Sequence, residues 1–229
     1  MSNTTGPKVA VVLSGCGVFD GAEIHESVLT LLALERAGCA VTSFAPDVPQ
    51  LHVVDHQTGE VVPGETRNVR TESARIARGP VADVADARID DFDAVVLPGG
   101  FGAAKNLCTF AVDGDACTVE AGTARLLGAA LDARKPIAVA CIAPAVLAAV
   151  LRDRGESAEL TIGDDADTAA ALERMGIVHS PCPVDRAIAD GARPIVSTPA
   201  YMLAGSIGEA AASIDAMVER LMTALAARA

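Results

Sequence analysis

Cys141 is the residue in this chain best placed to do chemistry. It follows the all-apolar run Ile137-Ala-Val-Ala140 and precedes residues Ala145 to Arg152, which read as a helix with Pro144 in its first turn. A thiol at a strand-to-helix turn faces unpaired N–H groups and the positive end of the helix dipole, and both favour the nucleophilic thiolate. Such a turn also lifts the side chain into a cleft, as in hydrolase nucleophile elbows. The competing reading is a small core residue, the usual fate of a free cysteine, and position alone does not separate the two.

Two further features could serve that thiol. Pro98-Gly99-Gly100-Phe101-Gly102 follows another buried run, Ala94 to Leu97. Glycines there let backbone N–H groups approach a ligand, so Gly99, Gly100 and the Ile142 amide are candidate oxyanion donors. Glu23 stands at the start of a helix just past the first strand. It could cap the helix, or, in a closed pocket beside the thiol, hold and move a proton. His25 is a candidate supporting group, although a solvated helix histidine is the plainer reading.

Other constellations are weaker. Gly15, Gly17 and Gly21 space as GxGxxxG rather than GxGxxG, and the acid Asp47 follows Pro46 at the second strand's end. That leaves only a faint dinucleotide signature. His52 and His56 are four apart in a predicted hairpin, and none of the four histidines forms an HExxH, so no metal site is expected. Asp164, Asp165 and Asp167 read as a solvated helix start.

The elements that must position these groups follow a strand–helix alternation. Val9 to Leu13 and Cys39 to Ala45 are expected strands, with a helix over Glu23 to Ala37 between them. Its predicted buried face is Ile24, Val28, Leu31 and Leu32. Leu51 to Val54 and Glu60 to Val62 flank a turn and suggest a hairpin. Short helices are expected over 72–78 and 103–108, a longer one over 119–133, and a piece ending at Gly176. Ile195 to Ser197 reads as a strand. Ile207, Ala211, Ile214, Val218, Leu221 and Leu225 mark a C-terminal helix. The fold class is α/β: one doubly wound, mostly parallel sheet between helices over residues 1–229, with a small β-hairpin insertion. In such sheets ligands sit beyond the strand C-termini, where the turns 14–21, 98–102 and 141–144 gather.

Composition narrows the function class. The chain has 229 residues, 51% hydrophobic, with a mean hydropathy of +0.36, ample for a core. Aromatic residues are 3% and the net charge is −12. Stacking platforms, phosphate backbones and anionic lipid are therefore not expected partners, so neither nucleic acid nor a membrane is. The six cysteines are scattered with no CxxC, and no signal peptide or membrane span is read, so a cytoplasmic location is expected.

Six separated segments together carry a resemblance: Ser14 to Glu26, Pro98 to Leu107, Cys141 to Pro144, Leu160 to Gly163, Pro181 to Val184 and Thr198 to Met202. In order, they resemble the ElbB-type glyoxalases, long associated with isoprenoid biosynthesis. These belong to the class I glutamine-amidotransferase-like superfamily, with the PfpI proteases and the deglycases. The resemblance implies a flavodoxin-like sandwich with Cys141 as nucleophile, Glu23 as its acid partner and Gly99-Gly100 as the oxyanion loop. His25 and Asn106 would support the site. The implied activity is a cofactor-free, glutathione-independent conversion of glyoxal to glycolate, or of methylglyoxal to lactate, in a homodimer. The chain departs from the superfamily in three places. It has no C-terminal HxE, Ile142 stands where PfpI proteases place a histidine, and the stretch Leu160 to Asp164 has no histidine where the deglycases carry one. The alternative function is a redox-sensing or regulatory protein built on an oxidisable Cys141.

Overall fold

A computed structural model describes residues 6–228. Its strands, in chain order, are β1 Lys8–Val12, β2 Ala40–Ala45, β3 Val54–Asp55, β4 Glu60–Val61, β5 Ala82–Asp83, β6 Ala94–Leu97, β7 Ile137–Ala140, β8 Glu159–Leu160, β9 Val178–His179, β10 Ile188–Ala189 and β11 Ile195–Thr198. The helices are α1 Ile24–Arg36, α2 Val69–Ala77, α3 Phe110–Asp113, α4 Ala121–Asp132, α5 Pro144–Asp153, α6 Ala166–Arg174 and α7 Ile207–Ala226.

Seven strands form one sheet in the order β10-β11-β7-β6-β1-β2-β5. All its pairs are parallel except the edge pair β10–β11. Strands β6, β7 and β11 are buried throughout because helices cover both faces, which is why they read as unbroken apolar runs rather than alternating ones. From β1 the chain moves outward to β2 and β5, then returns to β6 on the other side of β1. The order reverses between β1 and β6, and a crevice opens at their C-terminal ends. The loops after β1, β6 and β7 all lie there. The expected hairpin is present as β3–β4, paired Val54 to Val61. The expected short helix after β6 is a wide π-helical turn, Ala103–Leu107.

Helix α1 corrects the expected burial pattern. Ile24, Val28 and Leu32 are exposed, while Glu26, Ser27, Thr30, Ala33 and Leu34 face inward. At about 100° per residue, Ile24 lies roughly 200° around the helix from Glu26. The inner face is set by close packing of small residues against α7 and by the need to place Glu26 under the sheet's C-terminal edge. The apolar period alone gave the opposite phase. Among the described residues no helix is long and apolar enough to cross a membrane.

The rotation of α1 has a direct test. Leu34→Ala is expected to lower the unfolding free energy by about 2–4 kcal/mol. Leu32→Ala should change it by less than about 1 kcal/mol. Urea unfolding of the two variants checks this, and equal losses would contradict the assigned face.

Candidate active site

Cys141 terminates β7 in a left-handed conformation, φ 57°, that non-glycine residues rarely adopt. The strain is held by neighbours. The Cys141 N–H donates to Thr198 O at 3.0 Å, and the Ala143 N–H donates to Ala140 O at 2.9 Å. Helix α5 then starts at Pro144, as the turn chemistry requires. This is the strand-to-helix elbow expected from the sequence. The thiol is only 8% exposed, and the N–H groups of Gly100 and Ile142 are directed at its sulfur.

The carboxyl against that sulfur belongs to Glu26, not to Glu23. Glu26 is fully buried. One of its oxygens accepts from the Gly99 N–H at 2.9 Å and the other from the Tyr201 N–H at 3.0 Å. The carboxyl lies beside the Cys141 side chain, the two flanking Gly99 closely enough that a Cβ there would strike both. Glu23 instead caps α1, its Oε2 accepting from the Glu26 N–H at 2.6 Å. The capping position and the inward position are three residues apart, so both carboxylates belong to the same first turn.

Gly99 is required by close approach. A Cβ there would stand 2.4 Å from the Cys141 Cβ and 2.6 Å from Glu26 Oε2. Its own N–H is engaged by Glu26, so of the three expected oxyanion donors only Gly100 and Ile142 present their amides to the sulfur. Gly100 has φ 93°, and a Cβ there would meet the Glu23 nitrogen at 2.3 Å.

The two acidic groups oppose each other's ionisation. Burial pushes the Cys141 thiol well above its ordinary range, and the Glu26 charge adds to the effect. Burial likewise raises Glu26, from 4.5 to about 7, with the Tyr201 N–H pulling it down and the Glu23 charge pushing it up. The pair therefore favours sharing at least one proton at neutral pH.

The remaining expected residues sit around this centre rather than in it. His25 is half exposed, with Nδ1 2.8 Å from the Tyr201 hydroxyl and 4.0 Å from Glu23 Oε1. Asn106 is a buried clamp for the loop after β1. Its Nδ2 donates to Ser14 O at 2.8 Å and Asp20 O at 2.9 Å, and its Oδ1 accepts from the Leu51 N–H.

The glycine loop 15–21 offers no free cradle for a pyrophosphate. Its Gly15, Gly17, Phe19 and Gly21 amides donate to Ser73 Oγ, Ala22 O, His56 Nε2 and Gly17 O. Among the described residues no three His, Cys, Asp or Glu side chains gather as a metal site.

Glu26 and Tyr201 were missed as site residues, although both lie within quoted motifs. The signal for Glu26 was its place on a helix face otherwise built of Ser27, Thr30 and Ala33. For Tyr201 no sequence signal pointed inward.

The cavity over the thiol holds about 440 Å³. Its apolar walls include Val18, Phe101, Ile142 and Met202, and Tyr201 and Thr168 add polar edges. Two grooves of about 560 Å³ lie along α7, lined by Met222 and Ala226 among others, and neither is lined by a cysteine.

The pH dependence of stability follows from Glu26. Its folded pKa exceeds its unfolded one, so its contribution is fully present below pH 4.5 and is lost as pH rises through about 7. Between pH 5 and pH 8 the loss is on the order of 2–3 kcal/mol. Urea unfolding should show that loss in the native chain and a flattened dependence in Glu26→Gln. Parallel pH profiles for the two proteins would contradict the buried, proton-holding carboxyl.

No family model matches the chain, but whole proteins do. It is 46% identical over 224 residues to the human glutamine amidotransferase-like class 1 domain-containing protein 3, mitochondrial, covering 94% of this chain and 82% of that protein. It is 44% identical to the rat ES1 protein homolog, mitochondrial, covering 94% and 83%. A solved structure of an isoprenoid biosynthesis protein with amidotransferase-like domain from Ehrlichia chaffeensis superposes with TM-score 0.89 at 38% identity, covering 96% of this chain and all of the other. Drosophila melanogaster DJ-1beta shares the fold alone, with TM-score 0.55 at 19% identity over 98% of each chain. These relatives correct the cytoplasmic expectation, since the human and rat proteins, and a zebrafish ES1 protein, are named mitochondrial. Reduced, scattered cysteines argue only against an oxidising compartment and do not distinguish the cytosol from an organelle interior. The flavodoxin-like sheet, the cysteine elbow and the whole-length similarity to these proteins lead to one assignment: the chain belongs to the class 1 glutamine amidotransferase-like family that includes the ES1 proteins.

Proposed function

We propose that this protein is a cofactor-free glyoxalase that converts glyoxal to glycolate, and methylglyoxal to lactate, through a hemithioacetal on Cys141. The observation that carries the reading is the proximity of the Cys141 thiol, which lines the cavity, to the Glu26 carboxyl buried beneath it, with the Gly100 and Ile142 amides beside the sulfur.

The sulfur adds to one aldehyde carbon, and the thiol proton ends on the former carbonyl oxygen. The Gly100 and Ile142 N–H groups hold that oxygen while it carries charge. Glu26, as carboxylate, takes the hydrogen from the carbon bearing sulfur and returns it to the neighbouring carbon through an enediol. The product on the enzyme is a thioester of the 2-hydroxy acid. Water cleaves it, releasing the acid and restoring the thiol. A group with a pKa of about 7 suits this exchange, because it is present in both protonation states near neutrality.

Glutamine hydrolysis, which the family name suggests, is less well supported. Among the described residues no histidine hydrogen-bonds Cys141 or Glu26. The Glu26 assignment also replaces the Glu23 role expected from the sequence.

NMR detection of glycolate from isotopically labelled glyoxal, without glutathione, tests the reading. Cys141→Ala should abolish turnover, and Glu26→Gln should lower kcat by about 10²–10⁴-fold. Glu23→Gln, which leaves the thiol contact in place, should lose less than about tenfold. Undiminished turnover by Cys141→Ala would sink the proposal, and a larger loss in Glu23→Gln than in Glu26→Gln would return the proton transfer to Glu23.

A further inference from the structure

We infer that the cavity over Cys141 is charge-selective: Glu23 and Asp165 make it a site for neutral or cationic carbonyl compounds and turn carboxylates away. Applied to the proposed reaction, on which that extension rests, the same field admits the uncharged dialdehyde and expels the hydroxy-acid anion.

The argument begins with the wall. The ionisable side chains lining the cavity, besides the thiol and the Tyr201 phenol, are the carboxylates of Glu23 and Asp165. No lysine, arginine or histidine is among the described lining residues. Glu23 is 8% exposed and lines the same cavity as Cys141, and the other lining carboxylate, Asp165, is exposed.

Both acids cap helices. Glu23 accepts from the Glu26 N–H, and Asp165 accepts from the Thr168 N–H at 2.8 Å. A helix N-terminus carries roughly half a positive charge, so each pairing leaves a net negative remainder.

The neighbouring basic side chains stand outside the described wall. Lys105 donates from Nζ to Phe19 O at 2.7 Å and lies 5.6 Å from the centre of the Phe101 ring, beside the wall rather than inside it. His25 bonds the Tyr201 hydroxyl and stands 4.0 Å from Glu23 Oε1, but is not among the described lining residues. Glu26, beneath the thiol, adds a further negative charge whenever it loses its proton. The Tyr201 phenol senses this field, since burial and then the charges of Glu23 and Glu26 all push its pKa up. A chain of net charge −12 reinforces the sign.

An anion entering this cavity thus meets like charge with no basic side chain in the described wall. A 2-oxo acid or a glutamine α-carboxylate would suffer the same repulsion, whereas a neutral aldehyde or an ammonium-bearing one would not.

Alkylation of Cys141 reads this field without requiring turnover. Iodoacetamide and iodoacetate are close in size and differ in charge. In each reaction a sulfur–carbon bond forms, the carbon–iodine bond breaks, and iodide leaves. Rates at Cys141, followed by peptide mass spectrometry, are compared with those of N-acetylcysteine under the same conditions. The neutral-to-anionic rate ratio at Cys141 should exceed that of the free thiol by about threefold to tenfold. It should fall towards the free-thiol value in 1 M salt. Asp165→Asn, which keeps a capping side chain, and Glu23→Gln should each reduce it.

A ratio equal to that of the free thiol in the native protein would overturn the inference, as would a ratio that neither salt nor Asp165→Asn changes. The salt series needs no variant, so a misfolded Glu23→Gln does not blunt the test. Selective alkylation in a protein without glyoxalase turnover would leave the charge selectivity standing and remove only its application to that reaction.

Discussion

The site depends on one buried contact, the Glu26 carboxyl against the Cys141 thiol. Two acidic groups removed from water, with no basic side chain hydrogen-bonded to either among the described residues, disfavour double ionisation. The surrounding structure answers that constraint with backbone amides. Gly99 and Tyr201 donate to the carboxyl, and Gly100 and Ile142 face the sulfur. Dipoles of fixed backbone hold developing charge without adding a titrating partner, which suits the proton exchange proposed for this site. The same contact explains why position 99 has no side chain and why α1 turns its small residues inward.

Much of this was legible in the sequence. Apolar runs closed by Gly or Pro marked β1, β6 and β7, and Pro144 after Cys141 marked the elbow, because buried parallel strands and helix starts carry strong local signals. The acid partner was not. The stripe Ile24, Val28 and Leu32 has the stronger hydrophobic period, yet packing against α7 prefers the small face, and Glu26 rides on that face. Glu23 and Glu26 lie only about 60° apart around the helix, so the phase of the stripe does not separate them, and the reading of Glu23 rests on its place at the helix start and on the resemblance. The Tyr201 amide was hidden for a different reason. It reaches Glu26 from a loop 175 residues away, and no local pattern reports a contact at that separation. The short strands β8, β9 and β10 have two residues each, too few to show a period.

A shared fold does not by itself fix a chemistry. The fold is shared with an Ehrlichia chaffeensis protein that has an amidotransferase-like domain, and, at lower similarity, with DJ-1beta. In this chain the scaffold supplies a cysteine at φ 57° with nearby amides, while the groups that face the sulfur decide what it can do. Here those are a carboxyl and two N–H donors, set in a cavity whose only fixed charges along the described wall are negative.

The central claim, that Glu26 holds a shared proton beside Cys141, is tested most directly by carbon-13 NMR titration of the Glu26 carboxyl. The account predicts a midpoint near 7 in the native protein. It also predicts a changed midpoint in Cys141→Ala, where the coupled group is gone. A midpoint near the ordinary 4.5 in the native protein, unmoved by Cys141→Ala, would contradict it.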